Sequence, residues 1–393
     1  ARDGEEACRY IVALALRRGV RQAVKSKSMT AEEIGLNEAL EAANIEPIET
    51  DLGEYIIQLA GEKPSHILAP AIHKTRLDVS ALFAKRLMTA RTEEIEELTR
   101  IARRKLREKF LSAEMGISGV NFAVAETGTL AILENEGNAR LSNTLPPIHV
   151  ALMGMEKVIP TLADLSVFLQ ILPRSATGQK ISSYISLISG PRRVLEIDGP
   201  EEFHLVILDN GRSRILQDPE LREVLYCIRC GACLNACPVF QKIGGHAYGW
   251  TYPGPIGSIL VPPLVGILRE QELPYASTLC GACQEVCPVR IEIPQLLLRL
   301  RSDIAEARVE KERGSSWGER RLLALWAWIM ASPRLYSTAS RLALFFQRPF
   351  LWKGKISYFP YPLSAWTRSR DFFPVARKPF RERWQEQQGS KVG

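Results

Sequence analysis

Up to about residue 210 the chain alternates short apolar, β-branched runs with segments of helical periodicity, the pattern of an α/β domain. Val20 to Val24 reads as a strand, and Thr30 with Glu33 forms a capping box that opens a helix over Thr30 to Ala43. Ile45 to Glu49 and His66 to Pro70 read as further strands, while Thr75 to Leu87 and Glu93 to Phe110 carry helical spacing. Strand-like runs return at Gly119 to Ala125, Leu130 to Glu134, His149 to Met153, Ile185 to Ser189 and Val194 to Ile197, with a helix over Ala163 to Ile171 among them. The polar stretch Asp209 to Pro219 marks a boundary. A cysteine-bearing region follows and ends in a helix, Ile293 to Arg313, whose Leu296, Leu297 and Leu300 face should pack on it. Gly314, Ser315 and Ser316 make a second break. Two short apolar helices come next, Leu322 to Met330 and Leu342 to Phe346, then a Pro- and aromatic-rich extension (Phe359, Pro360, Tyr361, Pro362) expected to wrap on other domains.

The 393 residues suggest two or three domains. With 46% hydrophobic and 24% charged residues, the composition excludes long disorder, collagen and a coiled-coil rod. No run reaches the roughly 18 apolar residues of a membrane-spanning helix, and no signal peptide is visible, so a cytoplasmic location is expected. The chain starts at Ala1 without Met and enters an amphipathic pattern at once (Ala7, Tyr10, Ile11, Leu14, Leu16), which reads as a first domain lacking its beginning.

The net charge of +7 is unevenly spread: from Lys311 onward there are 16 Lys/Arg against 5 Asp/Glu. That tail also holds six of the seven Trp, namely Trp317, Trp326, Trp328, Trp352, Trp366 and Trp384. Apolar stretches flanked by Arg favour a membrane surface or a partner subunit over nucleic acid, which would need its aromatics exposed in a basic groove.

Cysteine placement changes the picture most. Seven of the eight lie between Cys227 and Cys287, and only Cys8 stands apart, as a small buried hydrophobe. Cys227, Cys230, Cys233 and Cys237, followed by Pro238, match the C-x2-C-x2-C-x3-C-P run of two-cluster ferredoxins. Cys280, Cys283 and Cys287, followed by Pro288, repeat its ending, with Ser277 where the first cysteine would stand. In the crossed ligation of such modules one cluster takes Cys227, Cys230, Cys233 and Cys287, and the other takes Cys237, Cys280 and Cys283. Two iron-sulfur clusters are expected, both [4Fe-4S] or the second [3Fe-4S]. The fourth ligand of the second stays open between Ser277 or solvent, a group from elsewhere, and a three-iron centre. Paired C-x2-C also holds zinc, which seven cysteines with two C-P endings fit poorly. The 42 residues between Cys237 and Cys280 form a large insertion, in which Gly244 to Gly249 shields a cluster, docks a partner, or is a plain turn.

Other signals are weaker. Lys25 to Thr30 leads from a strand into a helix and suits an anion or a solvated basic turn. Glu126 to Thr129 is a pocket wall or, more simply, a hairpin turn. His66, His73 and His149 read as structural histidines, no catalytic residue stands out, and no nucleotide fingerprint is present.

The cysteine runs, with Ile243 to Gly249 and Leu273 to Ser277, resemble the LutB-type lactate-utilization iron-sulfur proteins. Lys25 to Asn37, Asp51 to Leu59, Lys63 to Arg76 and Glu126 to Thr129 resemble that family's N-terminal LUD domain. The resemblance implies a NagB/RpiA/CoA-transferase-like α/β domain over 1–212, truncated at its start. It implies an α-helical two-cluster ferredoxin-like module over 213–313 and a basic, Trp-rich C-terminal domain over 314–393. It further implies an electron-transfer subunit of a complex oxidising L-lactate to pyruvate, part of an L-lactate dehydrogenase rather than a complete enzyme. The companions would be a CCG-domain cysteine-rich protein and a LUD-domain protein, with peripheral contact at the inner face of the membrane. A relay for another 2-hydroxy acid such as glycolate, or a redox-sensing regulator, are the competing functions.

Overall fold

The computed structural model describes every residue except 312–316, 362, 369 and 390–393. The chain divides into two compact units, Ala1–Ala307 and Arg308–Gly393.

The first unit is built on a fully parallel sheet in the order β2-β1-β3-β6-β9, formed by β1 (Gln22–Lys25), β2 (Glu46–Glu49), β3 (Met115–Gly119), β6 (Ile148–Gly154) and β9 (Glu202–Leu208). A smaller sheet, in the order β7-β4-β5-β8, joins β4 (Phe122–Val124), β5 (Thr129–Glu134), β7 (Val158–Ile159) and β8 (Tyr184–Ile188). Helices cover both faces of the parallel sheet, which is why its inner strands are largely apolar, with Lys25, Ser118 and His149 as buried polar exceptions. On one face α1 (Gly4–Arg17) lays Ile11 and Leu14 against Ile117, Val150 and Leu152. Between β1 and β2 run α2 (Met29–Glu33) and α3 (Leu36–Ala42), the latter adding Leu36 and Leu40 to the same core. On the other face α4 (Leu52–Ala60) and α6 (Ile95–Ser112) set Tyr55, Leu106 and Phe110 on Val24 and Ile48, with α5 (Arg76–Leu87) packed outside them. The short α7 (Asn138–Thr144) crosses β3 so closely that a Cβ on Gly116 would lie 1.8 Å from the Ser142 carbonyl oxygen. The last long helix of this part, α8 (Leu162–Thr177), covers the small sheet with Leu165 and Leu172.

Several elements depart from the sequence reading. The helix expected over Thr30 to Ala43 breaks at Gly35, which adopts φ +64, and its N-cap is Ser28, whose side chain accepts from the Ala31 N–H. Glu33 therefore closes no capping box. His66 to Pro70 is a loop, because the His66 ring takes the Leu68 N–H that a strand would need. Gly119 to Ala125 spans the end of β3 and all of β4, which belong to different sheets. Val194 to Ile197 is an exposed loop between Gly190 and Gly199, both at positive φ. The strand lies further on, at β9, whose Glu202 and His204 made it look polar.

After β9 the chain passes through α9 (Arg212–Gln217) into the cysteine region. There α10 (Ala232–Ala236), α11 (Phe240–Ile243), α12 (Gly254–Val265) and α13 (Ala282–Glu285) surround one core with α14 (Ile293–Lys311). Leu296, Leu297 and Leu300 of α14 are buried in that core, as their spacing required. The expected helix end at Arg313, the break at Gly314 to Ser316, and Pro362 lie outside the described residues.

The second unit pairs α15 (Trp317–Ala331) with α16 (Pro333–Phe346), longer than the apolar cores that announced them. Beyond them Phe359 packs on Phe350 and Phe372, and Ile356 pairs with Phe372 through its backbone. Trp326, Trp328, Leu322 and Leu323 remain exposed on α15. Among the described residues no helix is long and apolar enough to cross a membrane.

Candidate functional site

The two cysteine runs fold alike. Arg229, just before Cys230, adopts φ +61 and Gly231, just after it, φ +73; Leu279 and Gly281 repeat this around Cys280 at φ +56 and +86. Left-handed positions on either side of Cys230 and of Cys280 curl the backbone tightly around each sulfur. Holding Arg and Leu at positive φ costs energy, a strain typical of functional loops. The curls lead into α10 and α13, which pack on one another and bring Cys233 and Cys283 inside. Among the described residues these are the internal repeat that the sequence showed only as spacing.

The thiols of the two runs neighbour one another. Burial pushes the Cys230 thiol up to about 11, and Cys227 and Cys287 add to the rise. Burial likewise raises Cys233, with Cys227 and Cys230 beside it and Cys283 of the second run also near. Cys283 is pushed up to about 11 by burial, and its thiol neighbours are Cys237 and Cys280. Cys280 lies exposed, its thiol held below the usual value by the Ala282 N–H. No cysteine is in a disulfide.

Backbone amides already point at sulfur: Arg229 N–H donates to Cys227 Sγ at 3.4 Å, Phe240 N–H to Cys237 Sγ at 3.5 Å and Ile291 N–H to Cys287 Sγ at 3.3 Å. Ser277 Oγ accepts the Leu279 N–H at 3.1 Å, the same local bond that Cys227 makes. Buried thiols become thiolates only beside compensating cations, which bound iron supplies. Among the described residues no three His, Cys, Asp or Glu converge tightly enough to hold a single ion. Cluster thiolates each bind a separate iron corner and stand further apart than ligands of one ion, so the donor set fits iron-sulfur clusters.

The insertion between the runs is anchored. Tyr248, 4% exposed, packs over the core beside Cys237 and Cys233, which together with burial push its hydroxyl up to about 12. His246 Nε2 lies 2.8 Å from the Lys63 carbonyl and its ring meets His73 edge-on. Gly245 approaches the Ser65 carbonyl so closely that a Cβ would sit 1.6 Å from the oxygen. His66 Nδ1 accepts from Leu68, so its Nε2 donates to Asn235 Oδ1 at 3.1 Å, between Cys233 and Cys237. His149 is buried on Ser118 Oγ at 2.8 Å, and burial pulls its ring down to about 4. With His73 Nε2 2.9 Å from Glu62 Oε2, all four of these histidines are held by the fold.

A buried charge network fastens the cysteine loop to the α/β domain. Arg212 grips Glu33 through Nη2 at 2.6 Å and Nη1 at 2.9 Å, and its Nε reaches Glu156 Oε2 at 2.6 Å. Tyr252 donates to Glu33 at 2.5 Å, and the Arg229 guanidinium lies 4.3 Å over the Tyr252 ring. Neither spacing nor periodicity brought these residues together, since they come from five separate segments.

Beside Arg229 opens a cavity of about 270 Å³, walled by Ser26 to Thr30, the β5–α7 turn, α8, Lys157 and the first cysteine loop. The Lys25 to Thr30 segment thus borders a cavity, although Lys25 itself is buried in an ion pair with Glu49 at 2.8 Å. Glu126 to Thr129 is the β4–β5 hairpin turn, and none of its residues lines the cavity. Cys8 is buried against the Ile34 carbonyl.

An α/β domain joined to two self-similar cysteine loops defines an iron-sulfur protein of the ferredoxin-like dicluster class. Family models agree along the chain: the LUD domain matches residues 1–208, the 4Fe-4S dicluster domain 223–291, and the Lactate utilisation protein B C-terminal domain 298–389. The chain belongs to the lactate utilization protein B family. Lactate utilization protein B of Bacillus cytotoxicus is 46% identical over 386 residues, 98% of this chain and 80% of its own. The proteins of that name from Anoxybacillus flavithermus and Macrococcus caseolyticus are 47% and 48% identical, over 100% and 95% of this chain and 82% and 78% of theirs. A DUF162 family crystal structure from Deinococcus radiodurans aligns with 53% of this chain and 99% of its own at 11% identity, with a TM-score of 0.23.

Proposed function

We propose that this protein is the iron-sulfur electron-transfer subunit of a system that oxidises L-lactate to pyruvate. The relatives' name supports the substrate, and one observation supports the relay: the two runs interleave, with Cys287 of the second near Cys230 of the first and Cys237 of the first near Cys283 of the second. On this reading Cys227, Cys230, Cys233 and Cys287 hold one [4Fe-4S] cluster. Cys237, Cys280 and Cys283 hold the other, with Ser277 at the fourth position. Bound clusters supply reversible one-electron steps.

The chain's own residues give the relay a direction. Cys230 is buried and its loop borders the cavity, whereas Cys280 faces solvent, where a partner can collect electrons. Tyr248 and the core beneath it screen the sulfurs from water. The parallel sheet supports a NagB/RpiA/CoA-transferase-like first domain. The exposed Trp and Leu of α15, on a basic tail, support attachment to a membrane surface or to the CCG-domain and LUD-domain companions. Deletion of the gene should abolish growth on L-lactate and leave growth on pyruvate intact; undiminished growth on lactate refutes the assignment.

A further inference from the structure

Around Arg229 cations crowd the cavity wall. Arg212, Arg229 and Lys157 face the carboxylates Glu33 and Glu156, with the Cys227 sulfur as a further negative neighbour of Arg229 and Lys157. Arg212 spends its donors on both carboxylates, and Arg229 reaches Glu156 only through Nη2 at 3.5 Å. Arg229 Nη1 is buried without a hydrogen-bond partner, and the Lys157 ammonium makes no hydrogen bond or ion pair among the described residues. Both side chains line the cavity. A buried unpaired donor and an ammonium without a partner on a cavity wall are costly unless an anion enters.

We propose that this cavity binds a small 2-hydroxy or 2-oxo monocarboxylate, its carboxylate held by Arg229 and Lys157 beside the first cysteine loop. The anionic character of the ligand follows from the wall alone; its assignment to this acid class rests on the proposed function. The rest of the wall narrows the choice. Lys27 is tied to the Leu68 carbonyl at 2.8 Å and lies near Asp51 and Glu136, so that region has no spare cation. Glu134 accepts the Ala139 and Arg140 N–H groups. An acidic far wall can accept a hydroxyl proton and repels a second carboxylate. At about 270 Å³ the cavity has ample room for a lactate-sized acid.

The test is calorimetric titration of the anaerobically purified, cluster-loaded full chain with L-lactate, pyruvate and malate. Lactate or pyruvate should bind at one site, with malate weaker, and Lys157→Met should weaken binding about tenfold or more, as expected for a lost charged hydrogen bond. Iron content and the reduced EPR spectrum of that variant should match the wild type. Ala176→Phe, which fills the cavity from α8 without touching a charge, should block binding as well. Absence of binding by a protein with intact clusters sinks the pocket and leaves the relay standing; carboxylate binding without clusters does the reverse. Malate binding more tightly than lactate, or unchanged binding in both variants, overturns the proposal. So does a Lys157→Met protein whose EPR spectrum alone changes, which would make the cations counter-charges of the cluster.

Discussion

The Ser277 hydroxyl stands where Cys227 places its sulfur: Ser277 Oγ accepts the N–H two residues on at 3.1 Å, as Cys227 Sγ does at 3.4 Å. The two loops share their curl, so an eighth thiol in the cysteine runs at this position needs no new backbone. Ser277→Cys should therefore give the second cluster a fourth thiolate and protect it from losing an iron on mild oxidation. Freeze-quenched EPR after ferricyanide should show the three-iron signal diminished in the variant; an equal signal in both proteins contradicts the placement.

The grip of Arg212 on Glu33 and Glu156 is a buried pair whose value lies in being complete. Arg212→Met leaves Glu33 without its cation and Glu156 with only the 3.5 Å contact to Arg229, and should cost about 3–5 kcal/mol. Tyr252→Phe removes one bond to a charged partner and should cost about 1.5–3 kcal/mol. Denaturant unfolding of the cluster-loaded protein measures both, and a smaller loss for Arg212→Met than for Tyr252→Phe would be at odds with the network.

Glu54 gives a pH dependence of known sign. Burial and the neighbouring charge of Glu49 raise its carboxyl well above the usual range, so it stays protonated in the folded protein after its unfolded counterpart has ionised. The stability this contributes is complete below about pH 4.5 and declines as pH rises through the folded value. Glu54→Gln removes the titration, so its melting temperature should gain on the wild type from about pH 5 upward. Melting curves that shift in parallel with pH would contradict this.

At Gly245 a Cβ would stand 1.6 Å from the Ser65 carbonyl oxygen. Gly245→Ala must push the insertion away from the α/β domain, at about 1–3 kcal/mol as in other overpacked sites. Hydrogen exchange should rise in residues 244–249; protection equal to the wild type would show that the contact is dispensable.

Spacing made the two cysteine runs legible because a C-x2-C-x2-C-x3-C-P run constrains the backbone locally, and the structure adds the shared curl of Arg229 and Leu279. Periodicity likewise placed α5 and α6 closely, and an unbroken apolar run placed β6, which is buried along its whole length. It failed where tertiary contacts decide. Glu33 looked like a cap and instead meets Arg212, 179 residues away. Val194 to Ile197 looked like a strand for its β-branched content, yet the sheet takes Glu202–Leu208 at its edge, where half the side chains need no burial. Lys157 and Arg229 carried no pattern at all, because the cavity they share exists only after the cysteine loop docks on the α/β domain.

The central claim is that electrons from lactate pass through these clusters. Its most direct test is anaerobic addition of L-lactate to the complex assembled with its companion subunits, followed by rapid freezing and EPR. Reduced-cluster signals from this chain should appear as pyruvate forms and disappear from a Cys230→Ala complex, along with turnover. Pyruvate formation at the wild-type rate with these clusters remaining oxidised, or in the Cys230→Ala complex, would contradict the account.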